Sequence, residues 1–183
     1  MQLIETPIKH LWIVQLDIFS DERGFFTERF NEQKFKELGV STHFVQDNHS
    51  RSFPKVLRGL HMQIDPPQAK LVGCTRGAIF DVAVDLRPQS PTYKQHFSIT
   101  LSAENGKLLW IPEGFAHGFC VIGKLAADVI YKVNSSYCPE GEIGIIWNEP
   151  EFNISWPYND PILSKRDQNL PSYNKVVVTS ALV

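Results

Sequence analysis

Short apolar runs alternating with polar residues recur along this chain, and they are cut at fairly regular intervals by twelve prolines and eleven glycines. That rhythm belongs to an all-β sandwich or barrel, in which strand side chains alternate between an inner and an outer face. Candidate strands are 11–17, 24–30, 43–46, 69–75, 77–85, 94–101, 107–112, 117–122, 126–133 and 143–147. A helical pattern stands out only from Asn31 to Leu38, where Asn31 is the expected N-cap, Gly39 the stop, and Phe35 and Leu38 share one face. A second short helix or turn is expected near Ser164, and Val176 to Val178 reads as a short strand in an otherwise loosely held tail after about residue 170. Ser41 to Pro54, polar but interrupted by Phe44, Val45 and Phe53, reads as the rim of a pocket.

Composition narrows the picture. A chain of 183 residues is one domain's worth, so residues 1–183 are expected to form a single domain with a core that needs no staples. A formal charge of −2 leaves no electrostatic footprint for nucleic acid or an acidic membrane surface. The start, Met-Gln-Leu-Ile-Glu-Thr-Pro, lacks a charged segment followed by an apolar core, and no run approaches the ~20 residues that span a bilayer. The expectation is a soluble, cytoplasmic protein. Cys74, Cys120 and Cys138 form no close pair, which argues against both a disulfide framework and a zinc knuckle.

Two turn-bounded histidines change the question from fold to chemistry. His61 sits in Leu57-Arg-Gly-Leu-His-Met-Gln63, where alternation places Gly59, His61 and Gln63 on one face and Arg58, Leu60 and Met62 on the other. His117 sits in Trp110-Ile-Pro-Glu-Gly-Phe-Ala-His-Gly-Phe119, which resembles the second metal motif of the cupin superfamily through Pro112, Gly114 and His117. The first cupin motif departs from that pattern. After His61-Met62-Gln63 the next charged group of note is Lys70, and an ammonium repels a dication and offers no lone pair. A pocket that works without metal or other cofactor is therefore expected, with a metal-dependent oxygenase using His61, Gln63 and His117 as a rival.

A longer set of motifs runs in order along the chain: Asp21-Glu-Arg-Gly-Phe-Phe-Thr-Glu28, Phe44-Val-Gln-Asp-Asn-His-Ser50, Leu57-Arg-Gly-Leu-His61, Phe80-Asp-Val-Ala-Val-Asp-Leu-Arg87 and Ile111-Pro-Glu-Gly-Phe-Ala-His-Gly-Phe119. Together they resemble the dTDP-4-dehydrorhamnose 3,5-epimerase family, from the first strand to about Pro171. The resemblance implies a cupin-type double-stranded β-helix, a jelly-roll barrel with a few short peripheral helices. It also implies epimerisation of dTDP-4-dehydro-6-deoxy-D-glucose at C3 and C5, to dTDP-4-dehydro-L-rhamnose. Single-site 3- or 5-epimerases share most of these motifs, and a sugar-binding cupin without turnover is a further alternative.

Epimerising carbons beside a ketone needs a base on one face, a cation at the ketone oxygen and an acid on the other face. His61 is the candidate base, since imidazole titrates near working pH. Lys70 is the candidate cation, although composition alone suggests a surface lysine. Tyr131, which alternation puts on one face with Val129 and Val133, is the candidate acid, although tyrosine in an apolar strand is usually core. The resemblance assigns these three roles and makes Asp167 the partner that orients the histidine. Asp81 and Asp85 compete for that place. For the nucleotide end, Arg23, Arg58 and Arg166 offer guanidinium forks for phosphate, and His117 is a further donor. The resemblance adds Glu28, Gln46, Asp47, Asn48, Tyr137 as a stacking ring, and Glu142. Arg166 stands where the family usually has lysine. An N-terminal segment exchanged between protomers in the family implies a homodimer, and a strand at 24–30 would pair readily with a partner.

Overall fold

The computed structural model describes residues 1–41 and 43–179. Thr42, in the expected rim segment, and the last part of the tail, 180–183, lie outside the described residues. In chain order the elements are β1 (Gln2–Glu5), β2 (Trp12–Gln15), β3 (Phe19–Asp21), β4 (Gly24–Phe26), α1 (Glu32–Glu37), β5 (Gln46–Ser52), β6 (Leu57–Gln63), β7 (Lys70–Arg76), β8 (Ala78–Asp85), β9 (His96–Ser102), β10 (Lys107–Ile111), β11 (Phe115–Ile122), β12 (Ala127–Val133), β13 (Glu142–Gly144) and α2 (Tyr173–Thr179). Short 3-10 turns stand at Pro139–Gly141, Pro150–Phe152 and Asp167–Asn169. Among the described residues no helix is long and apolar enough to cross a membrane.

The strands assemble into two antiparallel sheets, β1-β2-β10-β7-β12-β5 and β13-β6-β11-β8-β9, with β3 and β4 as a separate hairpin. This is the all-β jelly-roll barrel expected of the sequence, with helices at its margins. One apolar layer fills the space between the sheets: Ile13, Val72, Leu109 and Val129 from the first meet Ile79, Ala83, Leu101 and Val121 from the second. The outer face of the first sheet is covered by α1, where Phe35 is fully buried against Leu71, Leu108 and Trp110. Asn31 caps that helix by accepting the Lys34 N–H, and Gly39 ends it at φ +74°. The outer face of the second sheet buries Leu60, Met62, Val82 and Ile145 with Phe152 and Tyr173.

Several expected elements differ. The tail folds as helix α2, not as a strand at Val176 to Val178, and it docks through buried Tyr173 and Val176. The candidate strand 24–30 shortens to the three residues of β4, because Glu28 is drawn instead to Asn31 and Lys34 at the start of α1. The candidate at 43–46 moves on to β5, whose sequence Gln-Asp-Asn-His-Ser-Arg-Ser carries no apolar alternation. β5 lies at the edge of its sheet, with one face on a cavity and the other on solvent, so neither face selects apolar residues.

The largest correction lies in β6. His61 pairs with His117 and Arg58 with Phe119, so three steps on β6 oppose two on β11. This bulge shifts the side-chain parity by one, and Arg58 joins His61 on the inner side while Leu60 and Met62 stay outside. Gly59 makes it feasible. Its φ is +115°, and a Cβ there would stand 2.6 Å from the Cα of Gly118 and 2.7 Å from the His117 carbonyl oxygen.

Candidate functional site

Between the two sheets opens a cavity of about 460 Å³. Strand alternation dictates what faces it. On β5 the even positions Gln46, Asn48 and Ser50 line the cavity, while Asp47 turns outward and accepts from Lys132 Nζ at 3.0 Å. On the next strand Tyr131 lies beside Asn48, and Lys70 of β7 pairs with Val133, which makes the ammonium and the phenol diagonal neighbours on one wall. The opposite sheet supplies Arg58, His61 and His117. The imidazole of His61 and the phenol of Tyr131 thus enter one cavity from different walls.

Each histidine is held by a carboxylate. His61 Nε2 lies 2.7 Å from Asp167 Oδ1, and Asp167 is buried at the start of a 3-10 turn, where Ser164 Oγ accepts from its N–H. Burial alone raises the Asp167 carboxyl, but hydrogen bonding and charge from His61, with Ser164 and Arg166, outweigh it and hold the group below the ordinary carboxylate range. An ionised carboxylate only accepts, so His61 donates through Nε2, and Nδ1 is the nitrogen left to take up a proton. His117 Nε2 lies 2.9 Å from Oδ2 of fully buried Asp81. Asp85 is committed elsewhere, to Arg87, Ser90 and Thr92. Of the three aspartates, Asp167 is the one hydrogen-bonded to His61, and Asp81 is bonded to the other histidine.

The facing wall carries no such partners. Among the described residues no carboxylate lies within ion-pair distance of Lys70. Burial pushes its ammonium down to about 8, against the pull of Glu142 and Asp81. Burial likewise pushes the Tyr131 phenol above its ordinary value, with Arg58 opposing, so the phenol keeps its proton. Arg58 itself is braced by Ser52 Oγ at 2.9 Å.

At the mouth, the Tyr137 hydroxyl donates to Glu142 Oε2 at 3.1 Å, and Arg166 forms an ion pair with the same carboxylate. Arg166 replaces the expected lysine without leaving the site. Three expected contacts do not reach this cavity within the chain. Arg23 lies on the exposed β3–β4 hairpin and pairs with Asp21, Glu28 pairs with Lys34, and Asp47 faces outward. Gln63, third ligand of the rival metal reading, spends its amide on the carbonyls of Pro66 and Ser136 and the N–H of Cys138. Sequence reasoning missed Ser50, Gln68, Phe119 and Ser164 as lining residues. The parity of β5 would have signalled Ser50 had that strand been assigned, whereas Phe119 pairs with Arg58 only through the bulge, which alternation does not reveal.

Comparison with known proteins converges on one group. Residues 5–175 match the family model for dTDP-4-dehydrorhamnose 3,5-epimerase. The dTDP-4-dehydrorhamnose 3,5-epimerase of Pseudomonas aeruginosa is 52% identical over 170 residues, covering 92% of this chain and 93% of that protein. That of Shigella flexneri is 50% identical over 171 residues, covering 92% and 94%. The crystal structure of dTDP-6-deoxy-D-glucose-3,5-epimerase from Legionella pneumophila Philadelphia 1, in complex with dTDP-4-keto-L-rhamnose, superposes with a TM-score of 0.90 at 45% identity, covering 94% of this chain and 93% of the other.

Proposed function

The chain belongs to the dTDP-4-dehydrorhamnose 3,5-epimerase family, and from that premise we propose how its own residues perform the reaction. It is a nucleotide-sugar isomerase that converts dTDP-4-dehydro-6-deoxy-D-glucose to dTDP-4-dehydro-L-rhamnose, in dTDP-rhamnose biosynthesis. His61 Nδ1 takes the proton from the carbon next to the ketone, and the C–H electron pair moves into the ring to leave an enolate at the C4 oxygen. Asp167 holds the ring in the tautomer that can accept, and stabilises the charge that arrives. Lys70, and His117 braced by Asp81, face the developing negative charge; a preorganised cation in a desolvated cavity is worth far more there than in water. Tyr131 returns a proton from the opposite wall, which inverts the carbon; the His61 imidazolium then releases its proton to solvent and the Tyr131 phenolate takes one from solvent, which resets both groups before the second carbon reacts.

The observation that carries this reading is the shared cavity: base and acid enter it from different sheets, so removal and return of the proton occur on different faces of a bound sugar. Arg58 and Arg166 suit the diphosphate, and Tyr137 at the mouth suits the flat base. Arg23 and Glu28 are the contacts to be supplied by a second copy. The hairpin that bears Arg23 forms its own two-stranded sheet and exposes Phe19, Phe25 and Phe26 at 62%, 60% and 68%. Exchange of this hairpin in a homodimer would cover that apolar surface and bring the guanidinium to the partner's cavity.

The test is incubation with the dTDP-keto sugar in heavy water. Deuterium is expected at both C3 and C5; labelling at one carbon alone refutes the double epimerisation. His61→Ala is expected to abolish exchange at both carbons, and Tyr131→Phe to slow inversion more than proton loss.

A further inference from the structure

Asn134 to Cys138 crosses the mouth of the cavity outside any strand, and its backbone groups find partners in glutamine side chains from β5, β6 and the loop between β6 and β7. Gln63, buried on β6 with 3% exposure, donates from Nε2 to the carbonyl oxygens of Pro66 at 2.9 Å and Ser136 at 3.0 Å, and its Oε1 accepts from the Cys138 N–H at 2.8 Å. Gln68, also buried, donates to the Ser135 carbonyl at 2.8 Å. Gln46 accepts from the Tyr137 N–H at 2.9 Å and donates to Asn48 Oδ1 at 2.8 Å. Every residue from Ser135 to Cys138 is thereby gripped by an amide.

The chemistry of these contacts is selective. Pinning carbonyls on one side and an N–H on the other requires a group that both donates and accepts, which an amide does and a carboxylate does not. Burying such a group is costly unless all its bonds are made, so Gln63 is committed to this geometry. At the centre of the gripped segment stands Tyr137, whose ring is half-exposed over the mouth and whose hydroxyl is tied to Glu142. A stacking ring that is already ordered loses less freedom when its ligand arrives.

We infer that Gln46, Gln63 and Gln68 are positioning residues for nucleotide recognition, a cradle that holds Tyr137 ready to stack on the base. The inference rests on the reading of Tyr137 as the base-stacking ring. Gln46 also lines the cavity, and its amide keeps a second N–H and a second lone pair beyond the bonds to Asn48 and Tyr137.

A double-mutant cycle read by calorimetric titration of dTDP tests it. Gln63→Leu is expected to weaken dTDP binding about tenfold, within what one aromatic–base stack contributes. KM should rise in step while kcat changes by less than about twofold. In a Tyr137→Ala background the same substitution should add less than about twofold, because its effect runs through the ring. Gln68→Leu, put through the same cycle, gives the answer if Gln63→Leu does not fold. Multiplicative losses in the two backgrounds overturn the inference while leaving the epimerase reading intact; wild-type protein that binds no dTDP overturns both.

Discussion

Lys70→Met should make the protein more stable and, at the same time, inactive. The ammonium sits in a cavity wall with no carboxylate at bonding distance among the described residues, and burial lowers it from 10.5 to about 8. A group lowered by that amount penalises the folded state by about 3 kcal/mol at neutral pH, from ~1.4 kcal/mol for each tenfold change in proton affinity. Water in the open cavity screens part of this, so about 3 kcal/mol is a ceiling for the gain on removing the charge. The sign is set by the direction of the shift. Below about 8 the lysine is charged in both folded and unfolded chains and the penalty is complete; between about 8 and 10.5 only the unfolded chain is charged, and the penalty fades. Urea unfolding of wild type and Lys70→Met at pH 7 and pH 9 should therefore show a gain of about 2–3 kcal/mol at the lower pH that shrinks by roughly 1 kcal/mol at the higher. Turnover of the wild type should decline as pH rises through about 8, and Lys70→Met should lack turnover at every pH. A variant no more stable than wild type, or a gain that does not change with pH, refutes the claim that this cation is held in place at a cost.

Asp167→Asn keeps the shape of the His61 partner but removes the charge that fixes the donor role of Nε2, so deuterium exchange at C3 and C5 should fall by about 10²–10⁴ with the far-UV spectrum unchanged. Because Asp167 is held below its ordinary value, the stability it contributes is present at neutral pH and lost as pH falls through the folded-state value; the gap between wild type and Asp167→Asn should close in acid titrations. Gly59→Ala forces a Cβ to within 2.6 Å of the Gly118 Cα at a positive φ, and urea unfolding should show a loss of about 2–4 kcal/mol. An alanine tolerated there at no cost would mean that the bulge is not what seats Arg58 beside His61.

Where one physical rule governed an element, the chain announced it. Helix α1 was legible because Asn31, Phe35 and Gly39 state a cap, a buried face and a stop within nine positions, and all three do those jobs. The buried strands β7, β8, β11 and β12 were legible because both sheets press apolar residues inward. Two places defeated the same reasoning. β5 carries no apolar code, because its inner face meets a cavity that needs amides and hydroxyls; a pattern that looks like a loop is the pattern of a strand lining a polar site. In β6 the period of two fails at Gly59, and the reading that separated Arg58 from His61 followed an alternation that the bulge cancels. The β3–β4 hairpin failed differently: its aromatic residues code for a surface that this chain does not itself cover.

The failures at β5 and β6 share a cause. A sheet optimised for burial presents apolar faces, and both misread strands depart from that pattern where they meet the polar cavity. The bulge brings a guanidinium onto the wall that already holds an imidazole, and the polar edge strand lays Asn48 beside Tyr131. The division of labour between the walls follows from which carboxylates lie within reach. The second sheet and the turn at Asp167 provide carboxylates at bonding distance, so the histidines there are held in orientation through Nε2. The first sheet provides none to Lys70, and desolvation then moves its ammonium and the Tyr131 phenol in opposite directions, the first towards easier release of its proton and the second towards firmer retention. In the proposed mechanism a proton acceptor on one wall and a retained proton on the other are the two halves of an inversion, and the strand registers set the two side chains on facing walls of one cavity.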